Sequence, residues 1–133
     1  SKNTVIAVAH AGRQGAFKNI VKNTLDSMKK EFNSSSKNIY VSIGSSIGVC
    51  CYEVGAEIYD EAKNLNLEYA LEKKAYSYYL DVSKILEAQL LESGIKKENI
   101  EISNECTCCL SEKYYSYRAQ AKTGRFAGII MLK

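Results

Sequence analysis

Short apolar runs of strand character alternate with stretches of helical period along this chain, and that alternation confines it to sheets with helices packed on them. Residues 4–9 form an almost wholly apolar run containing Val5, Ile6 and Val8, the pattern of a buried strand covered on both faces. Phe17, Ile20, Val21, Leu25 and Met28 then recur at helical spacing, which predicts one amphipathic helix over 14–32, ended by Asn33-Ser34-Ser35-Ser36. Ile39, Val41 and Ile43 alternate with Tyr40 and Ser42 as a second strand. A Gly/Ser-rich turn over 44–48 leads into Cys50-Cys51-Tyr52, and Ile58, Ala62 and Leu65 fit a short helix over 55–65. Residues 66–79 read as a loop or an irregular strand. Asp81 stands as the N-cap of a helix with Val82, Ile85, Leu86, Gln89 and Leu90 on one face and Gly94 closing it. Ile100 and Ile102 mark a third strand, and 126–132 a last apolar one after the Thr123-Gly124-Arg125 turn. The expected class is α+β, with mixed β-sheets flanked by helices.

Composition narrows the function classes. At 133 residues the chain is one domain by the usual range of about 100–200 residues each. Its net charge of +3 is small, and Lys and Glu are interspersed, so the clustered basic stripe of a nucleic-acid binder is missing. No apolar stretch approaches the ~20 residues of a membrane span. The apolar run at the start is too short for a signal peptide. Five cysteines, an odd number, fit reduced thiols in a reducing compartment. The expectation is a soluble cytoplasmic protein with neither nucleic acid nor membrane as a partner. A buried strand so early, with no residues before it to cover its edge, implies a missing preceding half or a second chain.

Chemistry has few places to reside. His10-Ala11-Gly12-Arg13-Gln14-Gly15 leaves a strand and enters a helix, where open sheets place ligands and helix N–H groups favour an anion. The glycine spacing is neither a P-loop nor a dinucleotide fingerprint. A lone histidine is more often a hydrogen-bonded structural residue than a ligand, yet any histidine-dependent mechanism must pass through His10. Cys50-Cys51 is a vicinal pair, and Cys106-Thr107-Cys108-Cys109 contains one C-x-x-C. Zinc knuckles stand about 12–20 residues apart; these are far more distant, so small buried thiols are the expected reading. Tyr114-Tyr115-Ser116-Tyr117-Arg118 and Arg125 could stack on a base or hold a phosphate, or form a strand edge with rings over the core. Glu53 and Glu57 are read as an exposed helix face, and Tyr76, Tyr78 and Tyr79 as packing.

Three blocks in order carry a resemblance. Val8-Ala9-His10-Ala11-Gly12-Arg13-Gln14-Gly15 is similar to V-H-A-G-W-R-G. Residues 43–55, with Ile43-Gly44, Ile47-Gly48 and Cys50-Cys51-Tyr52-Glu53-Val54-Gly55, resemble I-G-P-x-I-G-P-C-C-Y-E-V-G. Cys106-Thr107, Tyr114-Tyr115-Ser116-Tyr117-Arg118 and Thr123-Gly124-Arg125 resemble C-T, F-F-S-Y-R and T-G-R. Together they resemble the laccase-domain family (the YfiH/YlmD type, multicopper polyphenol oxidase-like), over the C-terminal half of its fold.

The resemblance implies a zinc enzyme acting on purine nucleosides, by phosphorolysis with phosphate or by adenosine deamination. It implies His10 as one zinc ligand; the family's other histidine and its cysteine have no counterpart here, and one ligand is not a site. It points to Arg118, Arg125, Gly12 and Arg13 as substrate or phosphate contacts. Arg13-Gln14 replace the family's Trp-Arg, and Ser45 and Val49 replace its two prolines. The alternatives are a non-catalytic fragment or diverged binding module, and copper-dependent phenol oxidation, against which a single histidine argues.

Overall fold

Helix α4 (Val82–Glu92) organises the core, and its sequence shows why. Asp81 Oδ1 accepts the Lys84 N–H at 3.0 Å, satisfying one of the donors that a helix start leaves unpaired. Gly94, at φ +87°, turns the chain away afterwards in a region that suits glycine. Val82, Ile85, Leu86, Gln89 and Leu90 are all buried, as their spacing requires. Ile85 and Leu80 are wholly enclosed, each contributing roughly 1.5–3 kcal/mol from burial. Gln89 Nε2 donates to the Ala16 carbonyl at 2.8 Å, tying α4 to α1 (Arg13–Phe17).

The computed structural model describes residues 4–133; residues 1–3, where the stretch read for a leader begins, lie outside the described residues. The described residues form two small sheets. In one, β1 (Val41–Ile43) and β5 (Ile100–Ile102) run parallel, with Val41 opposite Ile100 and Ile43 opposite Ile102. In the other, β2 (Glu53–Val54), β3 (Leu71–Lys74) and β4 (Ser77–Leu80) are antiparallel in the order β2-β4-β3. Helix α3 (Ala56–Asn64) leads from β2 toward the hairpin. Val54, Ala62, Leu67 and Ala70 join Phe17 and the α4 face in one core. The class is α+β, with parallel and antiparallel sheets flanked by helices. No described helix is long and apolar enough to cross a membrane.

Several expectations are corrected. The single helix over 14–32 is two, α1 and α2 (Ile20–Phe32), broken at Asn19. Asn19 takes the left-handed conformation at φ 54° and caps α2 by accepting the Lys22 N–H at 3.1 Å, a local bond that competes with continuing the helix. Residues 66–79 hold a 3-10 turn at Glu68–Ala70 and the β3–β4 hairpin. Its tip at Ala75 has positive φ without glycine or asparagine, so the usual turn signal is missing. Tyr76 at that tip is fully exposed and packs on nothing, whereas Tyr78 lies 4.2 Å from the Tyr59 ring. Glu53 lies in β2 and Glu57 in α3, so they share no helix face; Glu53 Oε1 accepts from Ser77 Oγ at 2.6 Å.

Residues 4–9 and 126–132 are not strands, and most of their side chains are exposed. A strand exists only through a ladder partner. Among the described residues nothing pairs with either segment. Val8 is 73% and Ile129 89% exposed, so strong apolar patterning here is not matched by burial.

Candidate functional site

The chain beyond the C-terminal ends of β1 and β5 stays paired. Ser103 N–H donates to Ile43 O at 2.9 Å, Ser46 and Cys106 form a parallel bridge, and Thr107 N–H donates to Ser46 O at 3.0 Å. The carboxyl ends of parallel strands are where open sheets hold ligands, and a cleft of about 290 Å³ lies here. Ala11, Gly12 and Arg13 line it from one stretch, Ser46, Ile47 and Tyr52 from a second, and Thr107 with Tyr115, Ser116, Tyr117 and Arg118 from a third. The fold thus brings all three sequence blocks to one place.

The cleft's polar groups are held by specific contacts. Arg118 Nη1 donates to the Glu53 carbonyl at 2.9 Å, and its guanidinium stacks 5.1 Å from the Tyr52 ring. Arg13 pairs with Glu61 at 3.3 Å and lies over Phe17. A side chain on Gly124 would come within 3.0 Å of the Tyr115 ring, so the glycine lets the 123–125 turn press against that tyrosine. Ser116 and Thr107 are buried, while Tyr115 and Tyr117 present exposed rings. Tyr114 is excluded from the cleft lining: its hydroxyl donates to Glu105 and accepts from Ser45 Oγ at 3.0 Å. Hydrogen bonds from Lys113 and then Tyr114 hold the Glu105 carboxyl below the usual carboxylate range.

Arg125 Nη1 folds back onto the Gly124 carbonyl at 2.9 Å and does not line the cleft. His10 is exposed beside Gly12, whose Cβ position is 3.4 Å from His10 Nε2. Among the described residues His10 belongs to no group of three or more metal-ligating side chains. The residues present therefore do not fit a metal held at His10. The helix entered after it, α1, has only five residues, where one helix over 14–32 was expected.

The cysteines depart most from expectation. Cys50 and Cys109 are exposed, and the Sγ atoms of Cys50, Cys51, Cys106 and Cys109 all lie within 4.8 Å of one another. Cys109 Sγ is 3.4 Å from both Cys50 Sγ and Cys51 Sγ. Gly48 N–H donates to Cys106 Sγ at 3.1 Å. Burial pushes the Cys106 thiol up, but the backbone N–H groups of Cys109, Gly48 and Cys108, with the Cys50 thiol, outweigh it and bring it down to about 6. Burial and the Cys109 and Cys106 thiols push Cys50 up to about 11, against a smaller opposing effect of Cys51. This donor set could hold a metal ion. Sequence spacing hid it because 58 positions separate the residues that meet.

The family model described as multi-copper polyphenol oxidoreductase laccase matches residues 1–133. The chain is 36% identical over 135 residues to a purine nucleoside phosphorylase of Clostridium acetobutylicum, covering 100% of this chain and 56% of that protein. It is 32% identical over 134 residues to the purine nucleoside phosphorylase YlmD of Bacillus subtilis, covering 98% and 48%. The crystal structure of Bacillus licheniformis YfiH superposes with a TM-score of 0.76 at 30% identity, over 84% of this chain and 43% of that one. YlmD from Geobacillus stearothermophilus gives 0.76 at 28% identity with the same coverage. The chain spans about half the length of the curated relatives it matches.

Proposed function

The chain belongs to the multi-copper polyphenol oxidoreductase laccase family, and from that premise we propose that its cleft is the substrate-binding part of a purine nucleoside phosphorylase. The convergence of the three sequence blocks on one cleft carries this reading, together with relatives that bear that name. Phosphorolysis breaks the glycosidic carbon–nitrogen bond, joins a phosphate oxygen to the sugar carbon, and moves the phosphate's proton to the purine nitrogen. It needs an anion site beside the sugar and flat surfaces for the base. Arg118 and Arg13 offer the cationic forks. The exposed Tyr115 and Tyr117 rings offer stacking surface, and the Ser46 and Thr107 hydroxyls offer hydrogen bonds to the ribose.

Zinc, and with it adenosine deamination, is what the resemblance adds; water would replace the exocyclic amino group, which leaves as ammonia. His10 supplies one donor without co-ligands among the described residues, and one donor is not a zinc site. A multicopper centre needs many histidines, and this chain has one. The isolation of His10 favours a second reading for the chain by itself: a module that binds nucleoside without turning it over.

Titration of inosine, adenosine and guanosine into the protein, with and without inorganic phosphate, tests both readings. Saturable binding lost in Arg118→Ala is expected. Phosphate-dependent release of free base establishes phosphorolysis in this chain, and ammonia from adenosine establishes deamination. Binding without release establishes the binding module. Absence of binding overturns both.

A further inference from the structure

We propose that Cys50, Cys51, Cys106 and Cys109 together bind one zinc-class ion, as a four-thiolate structural site that joins the 44–52 loop to the turn after β5. The proposal stands apart from the cleft and from His10. Its first support is the sulfur cage. A tetrahedral zinc with bonds of about 2.3 Å sets its sulfur atoms about 3.8 Å apart. Here two of the sulfur pairs are at 3.4 Å and all four atoms fall within 4.8 Å. A multi-iron cluster spreads its cysteines around several metal atoms and needs a wider cage. Thiolate sulfur selects zinc and other soft ions over magnesium or calcium.

A second support is the backbone around Cys106. Cys106 and Cys109 form a C-x-x-C turn, with Leu110 N–H bonded to Cys106 O at 3.0 Å. Gly48 N–H donates to Cys106 Sγ at 3.1 Å. Such a donor fixes a ligating sulfur from outside the metal's own shell. A side chain at Gly48 would meet Cys106 Cβ and Cys50 Sγ, both at 3.2 Å, so glycine is what lets the two loops close on one point. The chemistry also disfavours simple packing: two of these thiols are exposed, where burial gains them little. Cys108 lies outside the cage and serves as an internal control.

Binding turns up to four thiols into ligands and releases the protons they still hold. With four protein sulfurs the coordination is closed, leaving no open position for substrate. The ion is therefore a staple rather than a catalyst.

The test is metal content of protein purified under reducing conditions, with cobalt substitution as an optical probe. We expect about one zinc per chain, and a cobalt form with the intense bands of tetrahedral thiolate ligation. Cys109→Ser should weaken binding by more than about 100-fold, beyond what loss of an outer-shell partner costs. Cys108→Ser and His10→Ala should keep the full content. If cysteine variants do not fold, alkylation of the wild type decides. Metal should protect Cys50, Cys51, Cys106 and Cys109 while Cys108 still reacts. Metal lost in His10→Ala but kept in Cys109→Ser overturns the proposal. So does a metal-free protein that binds neither zinc nor cobalt, or one whose cage thiols pair as disulfides under those reducing conditions.

Discussion

Gly48 donates its backbone N–H to Cys106 Sγ over 3.1 Å, and that approach exists because residue 48 has no side chain. A methyl group there would stand 3.2 Å from Cys106 Cβ and 3.2 Å from Cys50 Sγ. One of those atoms is fixed to the backbone, so the loops must separate to admit it. Gly48→Ala should therefore lower stability by about 1–3 kcal/mol, the usual cost of overpacking. Gly44 has open space around its Cβ position, so Gly44→Ala should stay within about 0.5 kcal/mol. Urea midpoints of the two variants decide; equal effects would remove the steric argument.

Ile85 is wholly enclosed in the core cluster it shares with Phe17, Val54 and Leu80. Ile85→Ala should cost about 2–5 kcal/mol, since a packed interior relaxes only partly around a lost side chain. Leu65, 44% exposed at the end of α3, is the comparison. Leu65→Ala should cost much less. Thermal melts in which both variants lose the same stability would mean that α4 is not the centre of the core.

Tyr69 titrates above the ordinary tyrosine range, first because its ring is partly desolvated and then because Glu92 repels the phenolate. The folded state therefore keeps its proton after the unfolded chain has lost it. Between the ordinary value of about 10 and the raised one, the unfolded state binds fewer protons, so stability falls as pH rises. Below that window both states are neutral and the group contributes no slope. Tyr69→Phe should flatten this part of the stability–pH curve, and Glu92→Gln should reduce it. An unchanged slope in Tyr69→Phe would assign the effect elsewhere.

Ile129 and Met131 stand 89% and 75% exposed in an apolar run that pairs with nothing among the described residues. Contiguous apolar surface of this kind drives association. Ile129→Asn with Met131→Gln should reduce concentration-dependent self-association measured by sedimentation. The unfolding free energy should change by no more than about 0.5 kcal/mol, as for other exposed sites. A large loss of stability would show that this run contributes to the core after all.

The parts of the fold that were legible rest on neighbours in the chain. Asp81, the five apolar-face positions from Val82 to Leu90, and Gly94 lie within four turns of one helix, so their spacing alone predicts cap, buried face and stop. Ile100 and Ile102 likewise announce β5. The break at Asn19 was hidden because the apolar period runs through it, and the bond from Lys22 to its side chain outcompetes one more turn of helix. The hairpin around Ala75 was hidden because its turn lacks the usual residues.

For the site, the sequence alone determined which side chains were available: one histidine, five cysteines, and arginines set among tyrosines. Their types and order point to the family and to the blocks that line the cleft. Only the tertiary structure decided which of them meet. The parallel pairing of β1 with β5 carries Ser46 to Cys106 and so gathers Cys50, Cys51, Cys106 and Cys109, while His10 is left without companions among the described residues. Arg118 reaches across to the Glu53 carbonyl beside the cleft, while Arg125 folds back onto its own turn. The physical reason is range. Caps and periodic faces come from bonds within a turn or two of chain. A contact across 58 residues depends on strand pairing and core packing and leaves no spacing signature in the chain.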